Sequence, residues 1–228
     1  MSAESTPRVF TDVSVDPFVC GFLHRPAKPN GKGLVLTHGA GSNCKAPLLI
    51  ALAEAFGGAG FLVLRCDLPF RQDRPYGPPG LHDGNRDRAG LKNAALALQH
   101  LTDGAVFLGG HSYGGRQASM LCAEQTEAQA KQVPGLLLMS YPLHPPTKPA
   151  QWRTQHFFNL RTPALFLQGT RDPFGSIPEI EQALKLIPAK TKLLTVEGVG
   201  HDLGFKGKSR RGDLSGTVLA EFQAFFAA

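Results

Sequence analysis

The sequence predicts an α/β fold: a mostly parallel sheet with helices on both faces, preceded by an antiparallel hairpin. Three observations carry this. Short apolar runs alternate with helical stretches from residue 33 to the end of the chain, the pattern of repeated strand–helix units. Several strand runs are apolar at consecutive positions, as when helices cover both faces of a sheet. Glycine and proline clusters punctuate the elements.

The elements follow in order. Val9, Thr11, Val13 and Val15 alternate with polar residues, Asp16-Pro17 interrupts, and Phe18, Cys20 and Phe22 alternate again; this is the hairpin. Residues 29–33 form a turn. Leu34–Thr37 is a strand ending in His38-Gly39-Ala40-Gly41. Pro47–Phe56 is an apolar helix stopped by Gly57-Gly58. Phe61–Cys66 is a strand, and a Pro/Gly/Arg-rich loop follows to about Gly84. Leu91, Ala94, Ala95 and Leu98 have helical spacing. Val106–Leu108 is a strand, and a helix runs from about Arg116 to Ala130. Leu136–Met139 is the next strand, and Tyr141–Pro163 an irregular loop. Ala164–Leu167, Ile177–Leu186 and Lys192–Val196 then read as strand, helix, strand. The last helix sets Leu214, Val218, Leu219, Phe222, Phe225 and Phe226 on one face.

The 228 residues contain no repeat, low-complexity tract or linker, so the expectation is a single domain over 1–228. With 42% hydrophobic and 18% charged residues, disorder is excluded. No apolar run approaches the roughly 18 residues of a membrane span, so no membrane partner is expected. Met1–Pro7 has neither the basic nor the apolar region of a secretory signal. Cys20, Cys44, Cys66 and Cys122 make no C-x-x-C pair, which reads as free thiols in a cytoplasmic protein.

The chemistry centres on Gly110-His111-Ser112-Tyr113-Gly114. This is G-x-S-x-G between a predicted strand and a predicted helix, the context that gives the motif meaning. A sharp turn lifts the serine hydroxyl out of the sheet edge, and small neighbours prevent a clash. The alternative is a serine that only caps the helix. A serine hydroxyl needs a base, and His201 follows the last strand in a Gly-x-Gly-His loop. Asp172 ends the strand before it and would fix the imidazole. The order Ser112, Asp172, His201 is that of an α/β-hydrolase triad. Asp67, Glu197 and Asp202 are rival acids, ranked below Asp172. For the oxyanion, the Tyr113 N–H is one donor. The Ala40 N–H is the other, with Gly41 as second choice, and His38 supports that loop.

These motifs resemble the α/β-hydrolase superfamily from about Gly33 to the C-terminus. Leu36–Gly41, Leu68–Arg71, Tyr141–Pro146 and Gly169–Phe174 further resemble a branch near the dienelactone hydrolases. That branch includes the hydrolase-like domains of the testis-expressed protein and of NSL-complex subunit 3. The resemblance implies an α/β-hydrolase fold and a serine hydrolase of small ester-type bonds: carboxylester, thioester or lactone. Dienelactone hydrolases use a cysteine nucleophile, and position 112 is serine. Because the branch also contains components of larger assemblies, the alternative is a catalytically silent interaction module.

Many relatives insert a cap after the strand at 136–139. Only Tyr141–Pro163 stands there, rich in proline, so no cap domain is expected. Trp152, Phe157 and Phe158 either line a slot or form the loop's own small core. His144 and Gly41 are further candidates for substrate contact.

Twenty-four basic residues against 18 acidic give a net charge of +6. The excess falls on segments 68–88, 141–163 and 202–213, which border the predicted serine. The expectation is an electropositive rim that favours an anionic small-molecule substrate, with Arg71 as carboxylate clamp. An ordinary solvated rim is the alternative. Position 44 is Cys where a dinucleotide fingerprint needs its third glycine. No P-loop, H-E-x-x-H or Cys/His ligand cluster occurs, so neither cofactor nor metal is expected. Lys206–Arg211 lacks an aromatic platform, so no nucleic-acid partner is expected.

Overall fold

The computed structural model describes residues 6–124, 133–205 and 213–227. In chain order these form β1 (Arg8–Asp12), β2 (Val19–His24), β3 (Gly33–Thr37), α1 (Pro47–Gly58), β4 (Leu62–Cys66), α2 (Pro69–Asp73) and α3 (Asp83–Gln99). There follow β5 (Val106–His111), α4 (Tyr113–Ala123), β6 (Leu136–Met139), β7 (Ala164–Gly169), α5 (Ile177–Leu184), β8 (Thr191–Val196) and α6 (Leu214–Phe226). The eight strands form one sheet in the order β1-β2-β4-β3-β5-β6-β7-β8. β1–β2 and β2–β4 pair antiparallel, and every other pair is parallel.

The apolar strand runs are explained by two cores. Successive side chains of a strand point to opposite faces. Val35, Leu64, Leu108, Leu136 and Leu138 accordingly pack on the side of α3 and α4. Leu34, Leu36, Val63, Phe107 and Leu137 pack on the side of α1 and α6. On that second face Phe222 of α6 meets Phe56, Phe61 and Phe107 edge-on, which fastens the last helix to the middle of the sheet.

Three differences from the expected elements matter. Residues 69–73 turn once as α2, which starts at Pro69, where proline costs a helix nothing. α3 begins at Asp83, eight residues before its apolar face, because its first turns border a cleft and need no apolar stripe. α4 begins directly after Ser112 rather than at Arg116. Its expected continuation to Ala130 lies partly outside the described residues, as do Lys206, Lys208, Arg210 and Arg211. Segment 141–163 contains one short 3-10 turn, Phe157–Asn159, and carries no cap.

Register brings the functional loops together. Thr37 of β3 lies beside Gly110 of β5, so the Gly39–Gly41 loop and Ser112 emerge side by side. Gly169 of β7 lies beside Val196 of β8. Beyond the ladder, Thr170 N–H donates to the Val196 carbonyl and Arg171 N–H to that of Val199. Asp172 and His201 therefore leave the same sheet edge on loops tied to each other.

Candidate active site

Ser112 sits between β5 and α4 with φ 51° and ψ −116°, a conformation that is strained for a non-glycine residue. The flanking glycines permit it. A Cβ on Gly114 would stand 2.6 Å from the His38 carbonyl oxygen, and one on Gly110 would stand 2.4 Å from the Gly114 backbone. Although Ser112 occupies the N-cap of α4, its hydroxyl makes no capping bond. The hydroxyl instead lies 2.7 Å from His201 Nε2.

His201 Nδ1 faces both Asp172 oxygens, at 3.0 and 2.8 Å. The Asp172 side chain is fully buried and accepts the Phe174 N–H at 2.9 Å. The Phe174 ring lies 4.2 Å from the imidazole centroid, and His111 Nε2 lies 2.7 Å from the His201 carbonyl. The imidazole is thus held by Asp172 and Phe174, and its backbone by His111. The rival acids do not bond the imidazole. Asp67 accepts the Cys44 N–H, Asp202 accepts the Gly204 N–H, and Glu197 is exposed.

His38 braces the Gly39–Gly41 loop. Its Nδ1 bonds the Gly39 carbonyl at 2.8 Å, and its Nε2 accepts the Leu68 N–H. Burial keeps it neutral, below the usual histidine range. The Gly39 carbonyl also accepts from Ser42 N–H. In a trans peptide the Ala40 N–H points the opposite way. No acceptor among the described residues meets the N–H of Ala40, Gly41 or Tyr113, and all three residues line the cleft that holds Ser112 and His201. That cleft has a volume of about 1160 Å³.

Three sequence-predicted contacts are corrected. Arg71 is buried, and its guanidinium donates to the carbonyls of Ser42, Ala40, Gly77 and Arg74. With four N–H groups spent on backbone, it holds these loops together, and it is absent from the lining of the cleft around Ser112. His144 is buried between the Pro145 carbonyl, 2.9 Å from Nδ1, and Glu179, 3.4 Å from Nε2. It braces segment 141–146 against α5. Trp152 packs against the core and lies outside the cleft lining. Phe157 stacks on Tyr141 and Phe166 within that core, while Phe158 is exposed. Gly41 does line the cleft.

Sequence reasoning missed Asp87 and Arg116. Asp87 is entirely buried, and accepts the Tyr113 hydroxyl at 2.6 Å and the Phe70 N–H at 3.0 Å. Arg116 and Met120 follow Ser112 at four-residue steps of α4, and all three line the cleft. That step places residues on one helix face, a signal present once α4 is started at Tyr113.

Residues 30–225 match the model of the alpha/beta hydrolase domain family. Solved structures agree on the fold. A serine hydrolase without lid from Xanthomonas campestris superposes with a TM-score of 0.75 at 15% identity, over 98% of this chain and 97% of that one. Dienelactone hydrolase from Anabaena variabilis gives 0.72 at 22% identity, over 98% of each. An esterase from Pyrococcus furiosus gives 0.74 at 15%, over 96% and 91%. With the match spanning most of its length, the chain belongs to the alpha/beta hydrolase domain family.

Proposed function

We propose that this protein is a serine hydrolase that cleaves a small ester-type bond (carboxylester, thioester or lactone) through an acyl-enzyme on Ser112. The observation that carries the reading is the continuous chain Ser112 Oγ–His201 Nε2 and His201 Nδ1–Asp172. His201 takes the Ser112 proton as Oγ attacks the carbonyl carbon. The oxyanion receives the N–H groups of Tyr113 and Ala40, which have no protein acceptor to compete for them. Collapse breaks the bond to the leaving group, which receives the proton from His201. Water then repeats the sequence in reverse and frees Ser112. The Asp172 carboxylate faces the imidazolium that forms and stabilises it.

The similarity of the fold to esterases and to dienelactone hydrolase supports an ester-type substrate. The quoted sequence motifs favour the branch that includes the testis-expressed protein and NSL-complex subunit 3, and a cytoplasmic setting fits four unpaired thiols.

A fluorophosphonate probe and a panel of p-nitrophenyl esters test the reading. Labelling and turnover should be present in the wild type and lost in Ser112→Ala. Asp172→Asn should lower kcat by several orders of magnitude, and Glu197→Gln should not. Absence of both labelling and turnover would leave an interaction module instead.

A further inference from the structure

The cleft has a chemical polarity that the triad does not use. Three arginines line it, Arg88, Arg116 and Arg153, against one carboxylate, Asp202, which sits beside His201. Arg88 is answered in part, by Glu124, Gln117 and Asn85. Arg116 and Arg153 make no ion pair among the described residues. Among the described residues the Arg153 guanidinium donates only to the Pro142 carbonyl, at a long 3.3 Å, and Arg116 Nε is buried without an acceptor.

The two charges share one neighbourhood. The Tyr141 hydroxyl donates to the Arg153 carbonyl at 2.8 Å and lies against Arg116. Burial, and then the Arg116 charge, hold the Arg153 guanidinium below the ordinary arginine range. His156 is pulled down to about 4, by burial first and by Arg116 and Arg88 after it. Its imidazole bonds Ser119 at 2.8 Å and stays neutral, so it neither adds to nor offsets the charge. Two half-buried cations with few acceptors cost stability unless something of opposite charge completes them.

We infer that Arg116 and Arg153, backed by Arg88, form an oxyanion-binding subsite in the catalytic cleft, and that the substrate is an ester carrying a carboxylate or phosphate remote from the scissile carbonyl. The inference rests on the hydrolase reading for the word ester, but not for the subsite itself. Arg116 lies four residues beyond Ser112 on the same helix face, a rise of about 6 Å. The anion therefore belongs several bonds from the reacting carbon. Guanidinium groups match the geometry of both oxyanions, and the apolar wall at Pro78, Pro79 and Leu81 lines the same cleft.

Two measurements test this. The first compares kcat/KM for 4-nitrophenyl hydrogen glutarate with that for 4-nitrophenyl pentanoate, which has the same acyl length and no charge. The wild type should prefer the charged ester. Arg116→Gln and Arg153→Gln should each lower that ratio by about tenfold or more, the loss expected of one charge-assisted hydrogen bond. Lys148→Gln, an exposed charge outside the cleft lining, should leave the ratio unchanged. The second titrates methyl hydrogen glutarate, and separately inorganic phosphate, into the Ser112→Ala protein by calorimetry. Binding of either, weakened in the Arg116→Gln and Arg153→Gln forms, sustains the subsite and tells carboxylate from phosphate. A wild type without preference, ratios unmoved by both arginine variants, or an equal loss in Lys148→Gln would overturn it. If neither ester is turned over and Ser112 takes no fluorophosphonate, the hydrolase reading fails and the calorimetry alone decides the subsite.

Discussion

The Arg71 guanidinium donates to the Ala40 carbonyl at 2.7 Å. A residue of α2 thereby holds the loop whose N–H groups face the cleft around Ser112, and the same guanidinium ties that loop to Ser42 and Gly77.

Arg71 is a positioning residue, and kinetics can separate that from a substrate clamp. Arg71→Met should lower kcat by about 10–100-fold, because small misplacements at a reacting centre have effects of that size. The loss should be equal for neutral and charged esters, with KM little changed. A loss seen only in KM for charged esters would restore the clamp.

The Tyr113–Asp87 bond anchors the side chain next to the nucleophile. Asp87 is buried, and that burial raises its carboxyl above the usual range, against the pull of Tyr113 and the Phe70 N–H. Tyr113→Phe strips the carboxylate of one donor in a place water does not reach. The expected cost is about 1–3 kcal/mol, read from urea unfolding at pH 7. In an Asp87→Asn background the same change should cost less, since no buried charge is left short of a partner. Equal costs in both backgrounds would show the two residues to be uncoupled.

Gly114→Ala tests the packing around the turn. The added methyl meets the His38 carbonyl at 2.6 Å and Thr37 Cγ2 at 2.7 Å. These atoms belong to the last residue of β3 and the residue after it, which cannot retreat without moving the Gly39–Gly41 loop. Stability should fall by about 1–3 kcal/mol, and esterase activity should fall further than stability accounts for. A variant with wild-type melting and turnover would show that the turn has slack.

Two histidines set an acid limit. His24 is pulled down to about 4 by burial first and the nearby Arg65 second, and His156 to about 4 by burial and two arginines. Both are neutral in the folded chain. Below pH 6.5 the unfolded chain takes up protons that the folded chain refuses, so stability rises with pH between about 4 and 6.5. Each histidine adds at most about 1.4 kcal/mol per pH unit in that window. Unfolding midpoints measured at pH 4.5, 5.5 and 6.5 should fall steeply toward acid, and His156→Gln should flatten the slope. A flat profile for the wild type would show that neither group is held neutral.

Local patterns predicted the sheet well because each strand carries its own evidence. Leu34–Thr37 and Leu136–Met139 are apolar at every or nearly every position and too short for a buried helix such as α1, which leaves a covered strand. The Ser112, Asp172 and His201 trio was legible for a related reason. Each residue ends or follows a strand, and the parallel order of a covered sheet sends those ends to one edge. α2 and the start of α3 were not legible, since a single turn is too short to show a period and the first turns of α3 are polar.

Side-chain roles divided differently. Arg71, His144 and Trp152 had the residue types of a substrate site and positions beside it, and all three turned inward. Arginine and histidine bond a carbonyl as readily as a ligand, and nothing in a linear chain says which lies within reach. Asp87 and Arg116 were missed for the converse reason: their partners, Tyr113 and Arg153, are 26 and 37 residues away and meet them only through folding. The sequence by itself determined the covered parallel sheet, the uncapped cleft and the placing of Ser112, Asp172 and His201 at strand ends, because these follow from periodicity and from the order of the elements. Only the tertiary structure decided which arginines stand at the cleft. Distance and burial decide that: Arg88, Arg116 and Arg153 line the cleft, while Arg71 is withdrawn into the backbone frame beside it.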